Sequence, residues 1–127
     1  MSKKILIVDD EPNIVFSVEF LMRRSGYEVV TAADGEQAMQ KLADEMPDLM
    51  ILDVMMPRKN GFEVCAEVRA DQRMADLPIL MLSAKGRDAE VKKGLSLGAD
   101  AYITKPFSTH ELVEKVNELL NTISEGE

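Results

Sequence analysis

Ile5-Leu6-Ile7-Val8-Asp9-Asp10 is apolar on both faces and then abruptly acidic. An apolar run without polar alternation describes a strand buried on both sides, the signature of an interior strand in a parallel sheet. The same transition recurs where Leu49-Met50-Ile51-Leu52 meets Asp53. Ligands in parallel α/β sheets bind just beyond the carboxyl ends of the strands. Asp9, Asp10 and Asp53 are therefore expected to meet at one rim.

The remaining chain alternates strand-like runs with segments of helical period. Strands are expected at residues 4–8, 27–32, 48–53, 78–83 and 101–104, each of ordinary strand length. Pro12 suits the first turn of the first helix, where its missing N–H costs nothing, and Ile14, Val15, Val18, Leu21 and Met22 share one face before Gly26. Residues 35–46 and 61–70 read as the second and third helices, with Pro47 blocking continuation of the second. The fourth, at 88–97, carries only Val91, Leu95 and Leu97 as large apolar residues, and Gly94 lowers its propensity by roughly 1 kcal/mol relative to Ala. Ser108-Thr109-His110-Glu111 forms a capping-box pattern, followed by Leu112, Val116, Leu119, Leu120 and Ile123 at helical spacing.

Strict β/α alternation with short connections implies right-handed crossovers and helices on both sheet faces. The expected fold is α/β, a doubly wound, flavodoxin-like parallel sheet of five strands in the order 2-1-3-4-5. The first and third strands then lie side by side at the switch point. One domain is expected over residues 1–123, with 124–127 a frayed tail and no second, output domain within the sequence.

Composition narrows the function. The 127 residues hold 23 acidic and 15 basic side chains, a formal charge of −8, which opposes direct nucleic-acid binding and attachment to acidic membranes. The apolar run after Met1-Ser2-Lys3-Lys4 is only four residues long, too short for a signal peptide or a membrane span. A lone Cys65 makes no internal disulfide, and a cytoplasmic setting is expected. Cys65 reads as a small core residue, and His110 as an exposed one.

Two further strand ends carry polar groups: Ser83 after Ile79-Leu80-Met81-Leu82, and Lys105-Pro106 after Tyr102-Ile103-Thr104. Three acids, a hydroxyl and an ammonium on one rim are parts suited to phosphoryl chemistry. Clustered carboxylates repel one another unless a cation sits among them, and hard oxygen ligands with an open, hydrated shell favour Mg²⁺.

Over essentially its whole length the chain resembles the receiver domain of bacterial two-component response regulators. The resemblance rests on Ile7-Val8-Asp9-Asp10-Glu11-Pro12, on Ile51-Leu52-Asp53-Val54-Met55-Met56-Pro57 with Gly61, on Leu82-Ser83-Ala84, and on Gly98-Ala99-Asp100-Ala101-Tyr102 through Lys105-Pro106-Phe107. It implies that Asp53 is the phosphoacceptor, taking a phosphoryl group from a histidine of a sensor kinase or phosphotransfer protein. Asp10, Asp53 and the backbone carbonyl of Met55 would ligate Mg²⁺, with Asp9 acting through water. Lys105 would pair with phosphoryl oxygens, the Ala84 N–H would contact them, and a cis peptide would precede Pro106. Ser83 would turn toward the phosphoryl group, and Tyr102 would move into the space beside it. The weakly apolar fourth helix is expected to be the element that switches.

Met55 and Lys85 stand where an amide in some relatives orients an attacking water, so a phosphoryl lifetime of minutes or more is expected. Ala101 and Thr122 lack the charges with which the winged-helix transcription-factor branch pairs its dimers; a monomer, or a dimer formed on phosphorylation, is expected. The downstream target is not legible. Two rival classes fit less well. A haloacid dehalogenase-type phosphatase needs a second Asp two residues after its nucleophile, whereas Asp9 is followed by Asp10-Glu11. A flavin or nucleotide site needs a loop that welcomes phosphate, whereas residues 9–13 contain three acids and no Gly.

Overall fold

The computed structural model describes residues 2–84 and 88–125, with the side chains of the last helix described as far as Asn121. The elements are β1 (Lys4–Val8), α1 (Pro12–Arg24), β2 (Glu28–Ala32), α2 (Gly35–Glu45), β3 (Leu49–Asp53), α3 (Gly61–Ala70), β4 (Ile79–Ala84), α4 (Asp88–Ser96), β5 (Ala101–Lys105) and α5 (Thr109–Glu125). All four strand pairings are parallel, and the order is β2-β1-β3-β4-β5. Both follow from short right-handed β-α-β crossovers.

Side chains of a strand alternate between faces, and the core divides accordingly. Ile5, Ile7, Leu49, Ile51, Leu80 and Leu82 pack with Val18 and Met22 of α1 and Leu112 and Val116 of α5. Leu6, Val8, Met50, Leu52, Ile79 and Met81 pack with Ala38 and Leu42 of α2 and Val64, Cys65 and Val68 of α3. Each large side chain buried in this way contributes about 1.5–3 kcal/mol before conformational entropy is set against it. Two layers thus clamp β1 and β3, which fixes where their carboxyl ends emerge.

Three of the helices, α2, α3 and α5, start where a side chain satisfies a free N–H group, whereas α1 begins at Pro12 without a side-chain cap. Asp34 accepts from the Gln37 amide at the start of α2, and Asn60 and Glu63 form a reciprocal capping box at the start of α3. At α5 the Glu111 N–H donates to Ser108 Oγ at 3.0 Å. The helix α2 ends at Met46 in the left-handed region (φ 46°) just before Pro47. The last helix, α5, is helical through Glu125, so Ser124 and Glu125 continue the helix where a frayed tail is expected from the sequence; Gly126 and Glu127 lie outside the described residues.

Strand ends differ slightly from the sequence expectation. β4 runs one residue past Ser83 and β5 one past Thr104, because Ser83 pairs with Thr104 and Ala84 with Lys105 in a ladder that outlasts the apolar run. Parallel pairing is carried by the backbone, so it does not stop where hydrophobicity does. In α4 only Gly94 is buried, while Leu95 is 44% exposed. A Cβ at Gly94 would stand 2.5 Å from Met81 Sδ, so the missing side chain lets α4 lie close to β4. No helix of the described residues is long and apolar enough to cross a membrane.

Candidate functional site

Register explains why the acids converge. Val8 pairs with Leu52 and Asp53 with Leu82, so β1 releases Asp9 beside the last residue of β3. Asp9, Asp10 and Asp53 each bring a carboxylate oxygen within 4.8 Å of the others. Asp9 and Asp53 are buried, at 1% and 5% exposure, whereas Asp10 faces solvent. The Glu11 N–H donates to Asp9 Oδ1 at 2.9 Å, which turns the chain sharply into α1.

Lys105, the last residue of β5, reaches across this rim. Its Nζ donates to Asp9 Oδ2 at 3.0 Å, to Asp53 Oδ1 at 3.2 Å and to Glu11 Oε1 at 3.3 Å. Burial, followed by the charge of Asp9, pushes the Asp53 carboxyl up to about 6, although Lys105 pulls the other way. Burial pulls the Lys105 ammonium down, but its bonds and charge interactions with Asp9 and Asp53 outweigh this and leave it raised. One ammonium therefore does not balance the acids around it. A divalent cation held by the three Asp oxygens would supply the missing charge, and an all-oxygen donor set suits a hard ion such as Mg²⁺.

The other sequence-derived positions surround this cluster. Ser83 is buried, and its single O–H is shared between the Ala84 carbonyl at 3.3 Å and Glu90 Oε1, on α4, at 3.4 Å. It points toward α4 rather than at the acids. Ala84 is exposed at the rim. Tyr102 lies on β5 opposite Met81 and is 44% exposed. The Met55 side chain, just after β3, is 65% exposed. The Lys105–Pro106 peptide bond is cis. Lys85 lies outside the described residues. A cleft of about 350 Å³ flanks the cluster between α1 and the β2–α2 loop, lined by Asp9, Asp10, Phe16 and Gln37 among others. A second cavity, of about 380 Å³, lies near the amino ends of β3 and β4 beside Leu42, Met46, Met74 and Leu77, away from every acid of the cluster.

The response regulator receiver domain family matches residues 5–117. The chain belongs to this family. As a receiver domain it is 50% identical over 120 residues to the alkaline phosphatase synthesis transcriptional regulatory protein PhoP of Bacillus subtilis, covering 94% of this chain but 49% of that protein. The chain thus spans about half the length of this curated relative. Among solved structures it superposes on the chemotaxis response regulator CheY4 of Vibrio cholerae with a TM-score of 0.89 at 35% identity, covering 94% of this chain and all of the other. It also superposes on the receiver domain of the sensor histidine kinase PA1611 of Pseudomonas aeruginosa, with a TM-score of 0.87 at 28% identity, over 95% and 99% of the two chains. That structure holds a magnesium ion in its active-site cleft. Receiver domains are signalling proteins, and aspartyl phosphorylation and Mg²⁺ binding are characteristic of them.

Sequence reasoning missed four participants. Glu11 shares Lys105, and Glu90 receives the Ser83 hydroxyl; neither contact has a local pattern to announce it. Asp34 and Asn60 were legible in principle, since each precedes Gln37 or Glu63 by three residues at a helix start.

Proposed function

We propose that Asp53 accepts a phosphoryl group from a phosphohistidine of a sensor kinase or phosphotransfer protein, in a Mg²⁺-dependent reaction. The observation that carries this reading is the buried Asp53 carboxylate at the end of β3, 3.2 Å from Lys105 and clustered with Asp9 and Asp10. An ionised Asp53 oxygen attacks phosphorus, the P–O bond forms as the P–N bond breaks, and the leaving imidazole nitrogen takes up a proton. Phosphoryl transfer depends on positioning and charge neutralisation. Lys105 serves both, since its ammonium already touches the nucleophile. Asp10, Asp53 and the Met55 carbonyl would hold Mg²⁺ directly, with Asp9 acting through water, and the ion would supply positive charge to offset the carboxylates and the transferred group.

Ser83 and Tyr102 read the result. Turning Ser83 Oγ toward a phosphoryl oxygen, with the Ala84 N–H beside it, takes the hydroxyl away from Glu90, and Tyr102 moves inward beside β4. The thinly anchored α4 then shifts and alters the surface offered to a downstream partner. Amide hydrogen exchange tests this part: unchanged protection of α4 with beryllofluoride bound would contradict it. Met55 and Lys85 place no amide to orient water, which supports a phosphoryl lifetime of minutes or more. Residues 1–123 are proposed to form an independently folding cytoplasmic unit, whether alone or within a longer regulator.

Intact mass after incubation with acetyl phosphate and Mg²⁺ is the decisive measurement. A stable gain of one phosphoryl group, lost in Asp53→Ala, supports the reading. Repeated turnover of phosphate esters without a stable adduct would place the chain with aspartate-nucleophile phosphatases instead.

A further inference from the structure

Two residues outside the acid cluster hold the loop that leaves the nucleophile. Asp34 is only 4% exposed although it precedes a helix. Its Oδ1 accepts from the Gln37 N–H at 2.9 Å, and its Oδ2 accepts from Arg58 Nη1, also at 2.9 Å. Arg58 sits in the loop between β3 and α3 at φ 67°, in the left-handed region. A residue with a β-carbon stays there only when its surroundings hold it, and such residues gather at functional sites.

The loop is pinned at both ends by backbone. The Val54 N–H donates to the Leu82 carbonyl at 3.1 Å, and the Gly61 N–H donates to the Val54 carbonyl at 2.9 Å. A Cβ on Gly61 would overlap the Asp53 carbonyl oxygen, and one on Gly35 would overlap that of Lys59. The start of α2 thus lies directly against the loop, and the Asp34–Arg58 pair ties the loop's middle to it. The Arg58 side chain is 64% exposed and that of Asp34 only 6%, so solvent screens the guanidinium more than the carboxylate it faces.

We propose that the Asp34–Arg58 ion pair is a positioning device for the metal seat, holding the 54–60 loop so that the Met55 carbonyl faces the cluster of Asp9, Asp10 and Asp53. The inference rests on the reading of that carbonyl as a Mg²⁺ ligand. Neither residue touches the reacting atoms, and both act through the backbone between them and Asp53.

Two substitutions separate this role from simple stability. Asp34→Asn keeps an oxygen for the Gln37 amide and replaces the charged acceptor facing Arg58 with a neutral NH2 group. Arg58→Gly removes the guanidinium while relieving the left-handed backbone. Titration calorimetry of the metal-free full chain with Mg²⁺ should show dissociation constants raised on the order of tenfold in both. The loss of affinity should exceed what any fall in Tm accounts for, and amide exchange should rise most in residues 54–60. Arg58→Lys, which keeps the charge, should retain most of the affinity. Wild-type affinity in both variants would overturn the proposal alone, as would a loss of affinity that merely tracks a loss of Tm. A wild-type chain that binds no Mg²⁺ would overturn the underlying reading and the proposal with it.

Discussion

Lys105 Nζ lies 3.2 Å from Asp53 Oδ1, joining the end of β5 to the end of β3 across β4. The two residues are 52 positions apart in sequence, and each is awkward to bury without the other. Removing the lysine as Lys105→Met strands two buried carboxylates, and uncompensated buried charge is costly. Unfolding in urea at neutral pH should show a loss of about 2–4 kcal/mol. The loss should shrink as the pH falls and the acids protonate, and phosphorylation should slow sharply.

Asp53 itself opposes folding when no metal is bound. Its carboxyl is pushed up to about 6 from an ordinary 3.8, so the folded state holds the proton more tightly than the unfolded chain. That contribution is fully present below about pH 4 and is lost as the pH rises through 6. The difference sets a ceiling of ~3 kcal/mol at neutral pH. Asp53→Asn should therefore stabilise the metal-free protein by ~1–3 kcal/mol at pH 7.5. The gain should vanish near pH 4 and shrink in saturating Mg²⁺, as thermal unfolding at several pH values will show.

Glycines near the site divide into two kinds. A methyl group on Gly61 meets the Asp53 carbonyl oxygen and Val54 Cα, which are backbone atoms that cannot move aside cheaply. Gly61→Ala should cost several kcal/mol, on the order of 3 or more. At Gly94 the nearest atom is the flexible Met81 Sδ, and Ala gains about 1 kcal/mol of helix propensity. Gly94→Ala should change stability by less than ~1 kcal/mol. Denaturant midpoints of the two variants test the contrast.

Ser83→Ala should separate chemistry from signal. The hydroxyl bonds to the Ala84 carbonyl and to Glu90, not to Asp53, so the variant should still gain one phosphoryl group by mass. The difference in α4 amide exchange between free and phosphorylated protein should fall by at least half, roughly, because the group that answers to the phosphoryl oxygen is gone. A full wild-type response in α4 would assign the signal to another residue.

What was legible in the sequence was periodicity and charge at strand ends. Ile5–Val8 and Leu49–Leu52 carry no polar alternation, and that alone placed β1 and β3 in the interior with acids at their tips. The resemblance to receiver domains then distinguished Asp53 from Asp9 and Asp10, which physical reasoning had left equivalent. Strand ends slipped by a residue at Ala84 and Lys105 because backbone pairing is indifferent to side-chain polarity. Glu11, Glu90 and the Asp34–Arg58 pair were hidden for a different reason: each contact depends on how separate loops meet in space, and neither partner is unusual in its own segment.

Lys105 carries three N–H donors, and Asp9, Glu11 and Asp53 each stand within reach of one. The resting site is therefore saturated rather than waiting. A phosphoryl oxygen cannot simply be added to the ammonium; it must take the place of a carboxylate already there. Entry of the donor is an exchange of anions, and Glu11, the most exposed of the three, is the natural one to yield.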